Sequence, residues 1–170
     1  MSVDKNEIDD RDDLNSLDIV SEATIRPMVN NDLMQILEIE TNSFPSPWSL
    51  ALFQREMELD FSYIFVLDLN GEIIGYINYW LSVGEVHIMS IAVKESYREA
   101  GIGSYILQHS LDEAKLKGGV YAYLEVRVGN SAGHALYRQN GFELVGIRRG
   151  YYTDTKEDAL IMAKELVAGC

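Results

Sequence analysis

The ionisable residue most out of keeping with its neighbours is Glu125, set in the strand-like run Tyr123-Leu124-Glu125-Val126-Arg127. Desolvation of a carboxylate in an apolar strand raises its pKa toward that of a general base. Two plainer arrangements compete: an ion pair with Arg127 on the same strand face, and a solvated sheet face. A second stretch, Arg98-Glu99-Ala100-Gly101-Ile102-Gly103-Ser104, stands between a strand-like and a helix-like run. Glycines there let backbone N–H groups approach an anion at a helix N-terminus. A tight strand–helix turn accounts for them equally well. No Lys-Ser/Thr pair follows Gly103, and Ile106 stands where G-x-G-x-x-G needs its third glycine. Nucleoside triphosphate and dinucleotide loops are therefore disfavoured. A pyrophosphate held by backbone alone stays open.

Asn130 precedes a short helix that carries Tyr137, whose hydroxyl would either donate a proton to a leaving group or pack within the helix. Arg148-Arg149-Gly150-Tyr151-Tyr152 reads as a strand-end loop over a cleft or as an exposed turn. His87, His109 and His134 are scattered, and each is expected to be structural or solvent-exposed. No metal is expected.

The elements that would position these residues follow from periodicity. Ala23 to Val29 reads as a first strand, with Pro27 marking an edge or a bulge. A helix begins at Asn31-Asp32, where Asp32 and Gln35 have the spacing of a capping box, and Leu33, Ile36, Leu37 and Glu40 share a stripe. Phe44-Pro45-Ser46-Pro47-Trp48 ends that helix, and Ser49 caps a second over Leu50 to Glu58. Ser62 to Leu69 and Glu72 to Trp80 read as a hairpin through Asn70-Gly71. In Val86 to Val93 the alternation slips, which predicts a bulge near Met89-Ser90.

Gly101 to Lys117 reads as a helix with Ile106, Leu107, Ser110, Leu111 and Ala114 inside, and His109 falls on its polar face. Val120 to Arg127 follows as a strand with Val120, Ala122, Leu124 and Val126 on one face. Ser131 to Gln139 is a helix, and Phe142 to Arg149 and Ala159 to Leu166 are closing strands. The order β-α-α-β-β-β-α-β-α-β-β describes a mixed α/β sheet in one domain.

Composition narrows the function classes. The 170 residues are 47% hydrophobic and 24% charged, as in ordinary globular domains. Fourteen basic against 27 acidic residues give −13, of which residues 1–22 carry −6. So acidic a chain speaks against nucleic acid as a ligand. It suits solubility or a basic polypeptide partner. Residues 1–22 are expected to be a mobile tail, with the folded domain over 23–170. No apolar stretch reaches the roughly 18 residues of a membrane span. Cys170 is the only cysteine, so no intrachain disulfide forms. No apolar stretch follows Met1-Ser2-Val3-Asp4-Lys5, and the expected location is a reducing cytoplasm.

Taken in order, Ile91-Ala92-Val93, Arg98-x-x-Gly101-x-Gly103, Leu124-Glu125-Val126-Arg127, Asn130, Ala135-Leu136-Tyr137, Gly141-Phe142, Arg148-Arg149-x-Tyr151-Tyr152 and Glu157-Asp158-Ala159 form a specific pattern. Over residues 23–166 the sequence resembles the GNAT acetyltransferase superfamily, and within it the ribosomal-protein-alanine N-acetyltransferases. The resemblance implies an acyl-CoA N-acyltransferase fold and acetyl-CoA as cosubstrate, lying between Val86–Val93 and Val120–Arg127. It implies that Ile91 and Val93 bond the pantetheine arm, that the amides from Arg98 through Glu99, Ala100, Gly101, Ile102, Gly103 and Ser104 hold the pyrophosphate, and that Asn130 contacts the cofactor. Glu125 matches the family's general base, acting through water, and Tyr137 its acid toward the departing thiolate. Tyr151 and Tyr152, with Phe44 to Trp48 on the facing loop, would hold the acceptor.

The implied reaction is direct transfer from acetyl-CoA to a protein N-terminus, that of a ribosomal protein beginning with alanine, by a cytoplasmic monomer. An α-amine, with a pKa of about 7.7–8.0, is easier to deprotonate than a lysine side chain. A small-amine or aminoglycoside acetyltransferase and a non-catalytic acyl-CoA-binding or partner-docking module are the alternatives. Departures from the pattern lie at Glu99 and Ala100, where further basic residues are common, and at Gly129 and Gly133. A mid-helix glycine at 133 is expected to cost about 1 kcal/mol.

Overall fold

Asn70 and Gly71 adopt φ of 52° and 95°, the left-handed pair of a two-residue hairpin turn. They join β2 (Ser62–Leu69) to β3 (Glu72–Ser82), and β4 (Glu85–Val93) adds antiparallel to β3. The computed structural model describes residues 16–166. β1 (Thr24–Pro27), β5 (Tyr121–Arg127), β6 (Glu143–Arg148) and β7 (Ala159–Glu165) complete a seven-stranded sheet of order β1-β2-β3-β4-β5-β7-β6. Pro27 lies, as expected, on an edge strand. All neighbours are antiparallel except β4 and β5.

Two apolar layers cover the sheet. On one face α4 (Ile102–Leu116) buries Ile106, Leu107, Ser110, Leu111 and Ala114, the inner face read from the sequence, against strand residues that include Ile77, Ile88 and Leu124. α5 (Ser131–Gln139) adds Tyr137 to this core. On the other face α2 (Leu33–Ser43) and α3 (Leu50–Glu58) bury Ile36, Ile39 and Phe53 against Val66, Ile73 and Tyr76. Of the expected α2 stripe, Leu33, Ile36 and Glu40 are buried and Leu37 is half-buried. Ser49 caps α3, its Oγ accepting the Leu52 N–H at 3.2 Å.

Two local expectations change. Asp32 does not pair with Gln35 in a capping box. Its carboxylate instead accepts the Val29 N–H at 2.8 Å and binds Arg26 at 2.7 Å. Gln35 reaches the hairpin, accepting the Ile73 N–H at 2.9 Å and donating to the Gly71 carbonyl at 3.2 Å. Val120 precedes β5 and is exposed, so the inner face begins at Ala122.

The order continues as read, but a helix, α1 (Ser16–Glu22), comes before it. The tail expected through Glu22 therefore gives way to ordered chain at Ser16. Ile19 is buried in the α4-side core, the one fully buried side chain from Leu17 to Glu22, which leaves no readable period. The rest of that expected tail lies outside the described residues.

Ile106 is fully buried at the centre of the α4 face. Ile106→Ala should cost about 2–5 kcal/mol, measured by urea unfolding with an unchanged dependence on denaturant.

Candidate active site

β4 and β5 begin as parallel neighbours, with Glu85 opposite Tyr121, and stay paired until Ile88 faces Leu124. There the pairing stops. The next residue, Met89, is the extra one of a bulge: Asn78 of β3 pairs with Ser90 while Tyr79 pairs with Ile88. Beyond it β4 follows β3, from Ile91 opposite Ile77 to Val93 opposite Gly75. Glu125, Val126 and Arg127 follow β7 instead. The bulge expected near Met89-Ser90 is thus present and opens a gap between two central strands. It also keeps Ile91 and Val93 on the α4 side with Val86 and Ile88.

Backbone groups facing such a gap have no strand partner, and an extended ligand with amides of its own can complete them. At its far end Gly101, with φ of 75°, is the N-cap of α4, and the first N–H groups of that helix have no intrahelical partner. Glu99 is also left-handed, with φ of 62°. These features fit a thioester with a pantetheine arm and a pyrophosphate. Arg98 is tied down beside them, its guanidinium donating to the Val93 carbonyl at 2.9 Å and to Ser43 Oγ at 3.0 Å. Ile102 is buried beneath the loop, and Ser104 Oγ accepts a bond from Asn140 at 2.9 Å.

Ala122, Leu124 and Val126 of β5 point into the core, so Tyr123, Glu125 and Arg127 share the opposite face. Glu125 Oε2 lies 2.6 Å from His87 Nε2, and its Oε1 is 3.8 Å from Arg148. The His87 ring stacks on Tyr123 at 4.4 Å and meets Trp80 edge-on at 6.1 Å. The Glu125 side chain is only 9% exposed. Burial alone raises its pKa, but the His87 hydrogen bond and charge, helped by Arg148, outweigh burial and hold it below the ordinary carboxylate value. The expected upward shift is therefore reversed.

The expected partner Arg127 is engaged elsewhere. It forms a two-pronged pair with Asp154, both bonds 2.9 Å, and lies 4.0 Å from the centre of the Tyr152 ring. Asp154 also accepts a 2.6 Å bond from Ser46 Oγ, joining the loop after β6 to the loop after α2. Phe44 and Trp48 are packed partly into the α2–α3 core, Trp48 against Phe53 at 5.3 Å. Ser46 rather than either ring therefore makes the crossing. Tyr151 is exposed and meets half-buried Tyr152 edge-on at 5.1 Å. Burial is the main reason the Tyr152 phenol is pushed up to about 12.

Tyr137 is buried, and burial pushes its phenol well above the ordinary value, with Tyr152 adding to the shift. It therefore keeps its proton at neutral pH. Asn130 caps α5, its Oδ1 accepting the Gly133 N–H at 2.9 Å. Gly133 is thus in the first turn rather than mid-helix, and an added Cβ would lie 2.7 Å from the Asn130 amide. His134 bonds the Arg127 carbonyl at 2.9 Å, and His109 meets Phe65 edge-on at 5.9 Å, so the α4 polar face is not open around it.

His87 and Asp154 are the site residues that sequence reasoning missed, and Ser46 entered only as part of the Phe44 to Trp48 loop. The parallel register that sets His87 beside Tyr123 joins residues 36 apart, and only the shared expectation that these two strands are neighbours pointed toward it.

The pattern of the "Acetyltransferase (GNAT) family" matches residues 33–142. The [ribosomal protein bS18]-alanine N-acetyltransferase of Escherichia coli is 37% identical over 145 residues, covering 82% of this chain and 95% of that protein. The N-alpha-acetyltransferase RimI of Mycobacterium tuberculosis is 35% identical over 150 residues, 84% and 92% of the two chains. The crystal structure of the ribosomal-protein-S18-alanine N-acetyltransferase from E. coli superposes with a TM-score of 0.78 at 35% identity, covering 86% of this chain and 96% of that one.

Replacing His87 with Gln removes the main influence that opposes burial at Glu125. Carbon-13 titration of the side-chain carboxyl should show the Glu125 midpoint rising to its ordinary value or above. An unmoved midpoint would show that His87 does not set it. In the wild type, stabilisation from the depressed Glu125 pKa is present at neutral pH and lost as pH falls through the folded-state midpoint.

Proposed function

The chain belongs to the GNAT acetyltransferase family and is an acetyl-CoA-dependent N-acetyltransferase, and we propose that its acceptor is a protein N-terminus, that of a ribosomal protein beginning with alanine. The observation that carries this reading is the position of Glu125. A buried carboxylate bonded to His87 stands where the β4–β5 gap opens, below two loops joined by Ser46 and Asp154. The 35–37% identity to enzymes named for N-terminal and bS18-alanine acetylation supports the acceptor class.

Acetyl-CoA supplies the acetyl group as an activated thioester. Ile91 and Val93 would bond its pantetheine arm through their backbone, Glu99 to Ser104 would offer amides to the pyrophosphate, and Asn130 would contact the cofactor. Because the Glu125 pKa is depressed, the carboxylate is a weak acceptor for an α-ammonium proton by itself. The proton would therefore leave the acceptor amine through water toward the hydrogen-bonded Glu125–His87 pair. The free amine attacks the thioester, and Tyr137, which holds its proton at neutral pH, gives it to the departing thiolate. Tyr151, Tyr152, Phe44 and Trp48 belong to the walls that receive the acceptor. We further propose that the enzyme acts as a monomer in the cytoplasm.

CoA thiol release is expected with a short peptide bearing a free N-terminal alanine. It should be absent with the same peptide blocked at its N-terminus and retaining an internal lysine. Equal release from both would contradict the proposed acceptor. Glu125→Gln and Tyr137→Phe should each lower turnover by about 10²–10⁴-fold, the usual contribution of acid–base groups, and unchanged turnover in both would remove their assigned roles.

A further inference from the structure

Among the described residues, Glu40 is the most deeply buried acid that the proposed reaction leaves unused, with 1% of its surface exposed. Each carboxylate oxygen has a separate task. Oε1 accepts the backbone N–H of Trp48 at 3.0 Å, eight residues downstream, and so closes the loop between α2 and α3. Oε2 accepts the Tyr76 hydroxyl from β3. With its proton directed to Glu40, the Tyr76 oxygen is left to accept from Ser90 Oγ at 2.9 Å. Ser90 is the residue immediately after the bulge, where β4 leaves β5.

The surrounding packing leaves little slack. Trp48 lies on Phe53 and Phe53 meets Tyr76 edge-on at 5.8 Å, while Ile36 and Phe53 have no exposed surface. Burial raises the Glu40 carboxyl, and the bonds from Tyr76 and Trp48 oppose that shift. A rigid, satisfied polar chain thus runs from the acceptor-side loop to the β4 edge of the gap.

We infer that Glu40 is a positioning residue that couples the 44–48 loop to the β4 bulge through Tyr76 and Ser90, so that filling the gap with acetyl-CoA firms the acceptor wall. Coupling of this kind is reciprocal, and a useful one changes an equilibrium by about fivefold or more. The inference rests on acetyl-CoA occupying the gap and is independent of which amine is the acceptor.

Native-state amide exchange of the full chain, followed by NMR with and without saturating acetyl-CoA, tests it. In the wild type, acetyl-CoA should slow exchange of the Trp48 N–H by about fivefold or more. Ser90→Ala leaves the Glu40–Trp48 bond in place, and should abolish the response at Trp48 while Ile91 and Val93 still respond. Glu40→Gln should do the same. A purely structural role for Glu40 would change the basal exchange of Trp48 without separating these responses. No response at Trp48 in the wild type, or an undiminished one in Ser90→Ala, overturns the inference. Silence at Ile91 and Val93 as well would also remove the seating of acetyl-CoA in the gap, which identifies the failure separately.

Discussion

The site depends on one extra residue in one strand. Without Met89, β4 and β5 would have no local reason to part after Ile88 and Leu124, and Ile91 and Val93 would turn away from the α4 core. With it, each strand keeps a partner on its outer side, β3 for one and β7 for the other, while their inner edges separate. Separation of two central strands leaves backbone groups in need of partners. That requirement makes the gap a place for an extended amide-bearing ligand. Strong pairing and close packing on both sides keep the gap from closing.

Electrostatics then divides the acids of the site by partner. Glu125 is buried and His87 holds it charged. Asp154 is more exposed, and Arg127 with Ser46 lowers its pKa. Arg127 is thereby drawn away from Glu125, although the two share a strand face. This leaves the imidazole as the group bonded closely to Glu125. Exposure of the loop residues means that the Arg127–Asp154 pair contributes through geometry more than through net stability.

Local chemistry made much of the fold readable. Asn70-Gly71 marked the hairpin, the slipped alternation of Val86 to Val93 marked the bulge, and the spacing of Ile106, Leu107, Leu111 and Ala114 marked the face of α4. Contacts made across long separations were not readable. Gln35 reads as a capping residue until the hairpin turn arrives beside it. The Glu125 pKa could be argued only as far as burial, because its opposing partner comes from another strand. His87 looked incidental among three scattered histidines for the same reason. α1 has too few buried positions for a pattern to emerge.

The most direct measurement is the crystal structure of the protein bound to a conjugate of CoA and an alanine-starting peptide. The pantetheine arm should lie between β4 and β5 beyond Ile88 and Leu124, bonded to the backbone of Ile91 and Val93. The peptide's N-terminal nitrogen should lie within one water of His87 or Glu125. A conjugate seated elsewhere, or an N-terminal nitrogen remote from both side chains, would contradict the account.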